Sequence, residues 1–478
     1  MVFSSPTFLF YFFPAFLLLY YALPWKNGVL LLASLIFYAW GEPSFVPLLI
    51  VSALFNYGFG FAIERGAAHK KFVLWLGVAG NLAFLIYYKY FMFLAQILND
   101  VLAPFRHQVT VPEIVLPLGI SFFTFQGISY LIDVYRGEVS AQKSFWSFAM
   151  YKAMFPQLIA GPIVRYKQIA HEVDRRAIDS ARLWTGVNQF IIGLAQKVLI
   201  ANTVALPADR FMSTDPALLT TVGAWIGAAC YTIQIFYDFA GYSNMAIGIG
   251  HMIGFSYPPN FNRPYSSTSV TEFWRRWHIS LSSWFRDYLY IPLGGNRGSP
   301  ARTYANLAAV FLLCGLWHGA AWTFIVWGMW HGGLLIVERM GIGALLGRMP
   351  RLVAQGYTLL AIMIGWVFFR ADSVSYAMKY LGVMFGFSEA GQEARPWQMD
   401  FGPAAALALI VGALLATVRL DGKTFSGEDE RSVQPLGRQA GNASIWSALR
   451  TAALAIGFIL CSASLAAGTY NPFIYFRF

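Results

Sequence analysis

Charge is what this sequence has least of: only 12% of its 478 residues are Asp, Glu, Lys or Arg, about half the share found in soluble domains. That excludes an ordinary water-soluble globular chain. Cysteine is scarce too, and Cys230, Cys314 and Cys461 stand apart inside apolar runs without CxxC spacing, which excludes a disulfide framework and a zinc site. No metal is expected. A P-loop, a dinucleotide fingerprint, a GxSxG elbow and an HExxH pair are all missing, so ATP-driven transport and zinc hydrolysis lose their usual sequence support. No repeat of fixed period occurs. The opening "MVFSSPTFLFYFFPAFLLLYYALPW" lacks a basic leader and a small-residue cleavage site, so it is expected to stay as a first helix.

What is present is apolar and aromatic, 57% and 17% of the chain, with a mean hydropathy of +0.53. Runs near the roughly 20 residues needed to cross a bilayer recur from residue 7 to 467. The expectation is an all-α, polytopic transmembrane protein of about ten to twelve membrane helices, multi-pass in a bilayer, because a helix satisfies its own backbone there. Residues 1–478 read as one domain, with a flexible polar linker near 420–446.

The net charge of +11 sits in short loops, which points to positive-inside bias and away from a nucleic-acid partner. Arg65, Lys70 and Lys71 place one loop in the cytoplasm, and counting back three helices puts the N-terminus outside. Residues 255–302, with Arg263, Arg275, Arg276, Arg286, Arg297 and Arg302, face the cytoplasm by the same rule. In "FWSFAMYKAMFPQLIAGPIV", Pro156, Gly161 and Pro162 predict a segment that dips in and returns, tolerated only where protein or a cavity covers the broken backbone.

Polar residues inside apolar runs are functional candidates by default. Asp238 and Tyr242 share a helix face, either as a packing seam with one satisfied acid or as part of a site. Across 270–288, Trp274, Trp277, His278, Leu281, Trp284, Phe285 and Tyr288 recur at helical spacing and predict an amphipathic interfacial helix. Arg275 and Arg276 on it either snorkel or hold phosphates. In "LLCGLWHGAAWTFIVWGMWHG", His318 follows Trp317 between Gly315 and Gly319, which permit close backbone approach. His331 lies about 220° further round on a straight helix, so the two histidines are not expected to share a site. An imidazole kept from water stays neutral, the form that accepts a hydroxyl proton. Cys314, one turn earlier, offers a covalent alternative but reads more simply as an apolar filler.

Taken together, "FNRPYSSTSVTEFWRRWHISLSSWFRDYLYIPLGGNRG", "LWHGAAWTFIVWGMWHG", "FPQLIAGPIVRY", "PLGISFFTFQGISYLIDVYRG" and "NPFIYFRF" resemble the membrane-bound O-acyltransferases, in their bacterial exopolysaccharide branch. The resemblance implies a central funnel ringed by helices, with re-entrant and interfacial pieces, in the bacterial inner membrane with a periplasmic N-terminus. It implies that His318 is the catalytic histidine and His278 its second; beside them Arg275, Arg276, Asp238 and Trp317 are expected to bind the donor. It further implies acetyl-CoA or another acetyl thioester as donor with no permanent cofactor, and as partners the lipid bilayer, a periplasmic acetyltransferase and a polysaccharide secretion complex. Where the family commonly reads "DFSGYSDMAIG", this chain has Ala240 and Asn244, which leaves Asp238 as the acid of that motif. The acceptor is expected to be an alginate-like polymer or cellulose. D-alanyl transfer to teichoic acid and transport of a glycan intermediate are the competing readings, and a scaffold for a polysaccharide synthase is a third.

Overall fold

The computed structural model describes residues 1–66, 68–387, 396–418 and 445–474. Regular structure among them is helical throughout, with no strand. Five helices are long and apolar enough to cross a membrane: Pro43–Arg65, Lys70–Phe105, Ser180–Ser213, Arg351–Arg370 and Ala448–Ala466. Phe8–Ala22, Lys26–Ala39 and Pro403–Thr417 are apolar but shorter. The linker expected at 420–446 falls almost wholly outside the described residues.

The chain divides into two compact units, Met1–Val187 with Ala246–Pro258, and Asn188–Met245 with Pro259–Phe478. In the first, the helices Val46–Arg65, Lys70–Leu85 and Ile120–Arg136 pack on one another. Asn56 and Asn81 exchange side-chain hydrogen bonds at 3.1 and 2.9 Å, and each also donates to the carbonyl four residues back. All their donors are thereby used, the condition on which apolar helices tolerate amides between them. The predicted break is present: helix Phe145–Ala153 gives way to the single turn Phe155–Leu158, and helix resumes only at Tyr166–Asp174. Every residue from 148 to 166 is buried. Protein therefore covers the irregular backbone.

The second unit is organised by a hairpin of two helices, Pro300–His318 and Trp322–Val337. A Cβ on Gly315 would lie 2.3 Å from the carbonyl oxygen of Phe324, and one on Gly328 would lie 2.4 Å from that of Phe311. Only glycine lets these backbones meet. The helix Arg351–Arg370 lies along the hairpin and presents Gly365 to it, where a Cβ would stand 2.6 Å from His331 Nε2.

Residues 270–290 depart from the continuous interfacial helix that their periodicity predicts. They form two short helices, Val270–Arg276 and Ile279–Phe285, broken at His278, whose φ of 43° is left-handed. Trp274, Trp277, Trp284 and Tyr288 are buried in this unit instead of lying at a headgroup surface. The first helix is anchored at its N-terminus by the Glu338 carboxylate, which accepts from the backbone N–H of Val270 at 2.6 Å and of Thr271 at 2.9 Å. A negative group at that end satisfies orphan donors and complements the helix dipole.

Candidate active site

His318 is the last residue of its helix, so it stands at the tip of the hairpin, 8% exposed. Its ring packs against Trp317, Trp327 and Phe369 at centroid distances of 4.9, 5.1 and 5.1 Å. Trp317 in turn faces His278 at 6.1 Å, and Trp327 faces His331 at 5.0 Å. Three histidines thus share one aromatic cage. His331 joins it because the chain reverses at 319–321, which removes the straight-helix premise that had set the two histidines apart.

Long-range hydrogen bonds fix the state of His278. Asn260 Oδ1 accepts from the Ser280 backbone N–H at 3.2 Å and from the Ser280 hydroxyl at 2.8 Å, while His278 Nδ1 lies 3.0 Å away. An atom that accepts a backbone N–H is an oxygen, so Nδ1 carries the proton in this bond. Nε2 is then a bare acceptor, fully buried and without a partner among the described residues. Neutral His278 therefore accepts a hydrogen bond toward the cage; donating one to an oxyanion requires its protonated form. Trp274 Nε1, Trp327 Nε1 and both ring nitrogens of His331 are likewise buried and unbonded among the described residues. Buried polar atoms left in this state are uncommon and call for a ligand or water.

Two cavities adjoin the cage. One of about 550 Å³ is lined by Phe324 and Phe369 together with Ser213, Thr323, Arg370 and Asp372, so it is one ring away from His318 at the hairpin tip. The other, about 130 Å³, lies further down the hairpin between Trp274, Phe311, Cys314 and Arg286. Cys314 thus borders a small apolar space, in keeping with the filler reading.

The remaining candidates are dispersed. Arg276 is buried and turned inward, its guanidinium 2.9 Å from Glu272 and donating to the Asn262 carbonyl at 3.1 Å, whereas Arg275 is exposed. The pair does not converge on one anion. Asp238 is 1% exposed, 2.7 Å from the ammonium of Lys197, and accepts the Ile474 N–H at 2.8 Å. Lys197 also bonds Asn202 Oδ1 and the Pro472 carbonyl. This ion pair fastens the chain's last described residues, and Phe239, beside Asp238, packs edge-on against His278 at 4.6 Å. Removing one member of a buried pair strands the other charge, at about 3–5 kcal/mol. Asp238→Ala is therefore expected to lower the melting temperature of the purified protein sharply, and a wild-type melting curve would refute the clamp.

Sequence reasoning missed Asn260 and Glu338, whose partners lie 18 and 68 residues away. It also missed Trp327 and Phe369 as walls of the cage. No local pattern marks any of them, although Asn260 does stand in the irregular "YPPNFNRPY".

The chain is also similar to known proteins along its length. The model of the membrane-bound O-acyltransferase family matches residues 136–368. A probable alginate O-acetylase of Azotobacter vinelandii is 41% identical, with 100% of both chains covered. A peptidoglycan O-acetyltransferase of Helicobacter pylori is 37% identical over 81% of this chain and 80% of its own. A teichoic acid D-alanyltransferase of Bacillus subtilis is more remote, at 30% identity over 43% of this chain and 54% of its own.

Proposed function

We propose, from the premise that the chain belongs to the membrane-bound O-acyltransferase family, that it acetylates a secreted polysaccharide of the alginate type by passing acetyl groups across the bacterial inner membrane. The chain is a membrane O-acetyltransferase. The reading adds the donor, the direction of transfer and the glycan, with the N-terminus in the periplasm and residues 1–478 serving one catalytic domain.

His318 takes the proton of an acceptor hydroxyl as that oxygen attacks the carbonyl carbon of an acetyl thioester. The carbon–sulfur bond breaks, and the proton passes to the departing thiolate. General base catalysis of this kind contributes about 10²- to 10⁴-fold. His278, with its bare Nε2, holds the donor by accepting an N–H of the kind a pantetheine arm carries. Trp317 walls the thioester between the two histidines, and exposed Arg275 meets the donor's phosphates on the cytoplasmic side. Arg276 and Asp238 act through the scaffold. The observation that carries this reading is the position of His318 at the hairpin tip, one ring from a polar cavity on one side and one indole from His278 on the other. Partners are the bilayer, a periplasmic acetyltransferase that completes the transfer and a polysaccharide secretion complex.

The test is chemical analysis of esters released by mild alkali from the surface glycan of cells lacking the chain and of cells in which it is restored. Restoration is expected to return acetate and no D-alanine. Released D-alanine would move the chain to teichoic acid chemistry, and glycan export without any ester change would make it a transporter.

A further inference from the structure

The polar cavity at the hairpin tip, about 550 Å³, falls within the roughly 300–1,000 Å³ that small-molecule sites occupy. Phe324 and Phe369 form its apolar wall, and Phe369 packs on His318 at 5.1 Å. Ser213, Thr323, Arg370 and Asp372 form the polar wall. Arg370 is only 9% exposed. Its Nη2 donates to Asp209 Oδ1 at 3.0 Å and to the Ser213 hydroxyl at 3.2 Å. Its Nε is buried and finds no acceptor among the described residues, and no hydrogen bond there uses Nη1. A buried guanidinium with donors to spare calls for a ligand or water.

We infer that Arg370 holds the acceptor alcohol beside His318 by donating to a second oxygen next to the reacting hydroxyl, and that Asp209 and Tyr470 are positioning residues acting through Arg370. This rests on the proposed acetyl transfer. The polar wall matches an alcohol of a particular kind. Arg370 only donates; Ser213, having accepted from Arg370, keeps its own hydrogen to give; and the carboxylate of Asp372, an exposed residue, only accepts. Vicinal hydroxyls of the sort a sugar ring carries supply an oxygen to the first two and a hydrogen to the third. An isolated hydroxyl cannot meet that wall and still present its oxygen for attack.

The fork is set before any alcohol arrives. The Tyr470 hydroxyl donates to Asp209 Oδ2 at 2.6 Å, so this carboxylate is held on one oxygen while the other takes Arg370. The Tyr376 hydroxyl reaches the carbonyls of Met212 and Thr214, at 3.0 and 2.8 Å, on either side of Ser213. Arg370 also ends its helix, where a cation complements the dipole. A planar guanidinium fixed in this way gives up little freedom when it meets an oxygen.

The test measures acetyl transfer by the purified full chain in detergent micelles, from saturating acetyl-CoA to two probe alcohols: methyl mannoside, which has vicinal hydroxyls, and propanol, which has one. Arg370→Gln is expected to raise KM for methyl mannoside about tenfold, with kcat and the rate on propanol as in the wild type. Tyr470→Phe takes a single hydroxyl from an exposed residue; it is expected to raise the same KM about threefold and to melt as the wild type does. An unchanged KM for methyl mannoside in Arg370→Gln would overturn the proposal, and so would an equal loss on both alcohols, which marks damage to the fold and not a missing grip. Wild-type kinetics in Tyr470→Phe would overturn it too, and that variant decides the matter if Arg370→Gln does not fold. Transfer to neither alcohol by the wild type would also count against it. The proposed function is judged separately, by the acetate returned to the surface glycan, so either can fail while the other stands.

Discussion

His318→Ala is expected to reduce O-acetylation of the secreted polysaccharide to background, about 10²- to 10⁴-fold, with the protein still present in the membrane at its normal level. The expectation rests on position. Its ring is held between Trp317, Trp327 and Phe369, and Phe369 also lines the polar cavity at the tip. His318→Gln provides the shape control, since an amide fills much of the same space but accepts no proton. His331→Ala separates chemistry from packing: His331 touches Trp274 and Trp327 but is fully buried behind them, so its loss is expected to weaken the cage and leave measurable acetylation. Acetyl ester content of the glycan, set against membrane abundance by blot, decides the matter. Full acetylation in His318→Ala at normal abundance would remove this residue from the chemistry.

How far the sequence foretold this arrangement depends on the range over which each feature is determined. Gly315 and Gly319 beside His318 announced a close backbone approach, and the structure puts Gly315 against Gly328 across the hairpin, their Cβ positions within 3.4 Å of each other's Cα. That was legible because a glycine's consequence is local. Pro156, Gly161 and Pro162 foretold the broken segment for the same reason. Periodicity misled at 270–288, since its aromatic spacing continues unbroken through the point where the backbone turns left-handed at His278. What turns the chain there is Asn260, which no pattern around His278 reveals. Asp238 was visible as a buried acid. Its partner Lys197 and the tail atoms of Pro472 and Ile474 were not, because they meet it only in three dimensions.

The hairpin carries the second large expectation: Gly328→Ala is expected to abolish acetylation and lower the yield of monodisperse protein. The added Cβ would stand 2.4 Å from the Phe311 carbonyl oxygen. That atom belongs to a helix backbone and has no rotamer to escape into. Restoring ordinary contact separates the two helices by roughly 1 Å, and close-packed interiors transmit such shifts instead of absorbing them. Since Trp327 is the residue before Gly328 and packs on both His318 and His331, the displacement reaches the cage directly, and a misplacement of about 1 Å can cost about 10²-fold in rate. Gly333→Ala is the matched control on the same helix: a Cβ there meets nothing within 4 Å, and alanine favours the helix by about 1 kcal/mol over glycine. It should therefore be as active as the wild type and no less stable. Equal acetylation in the two variants would mean that the helices do not approach as closely as the hairpin requires, and the case for His318 at a rigid tip would fall with it.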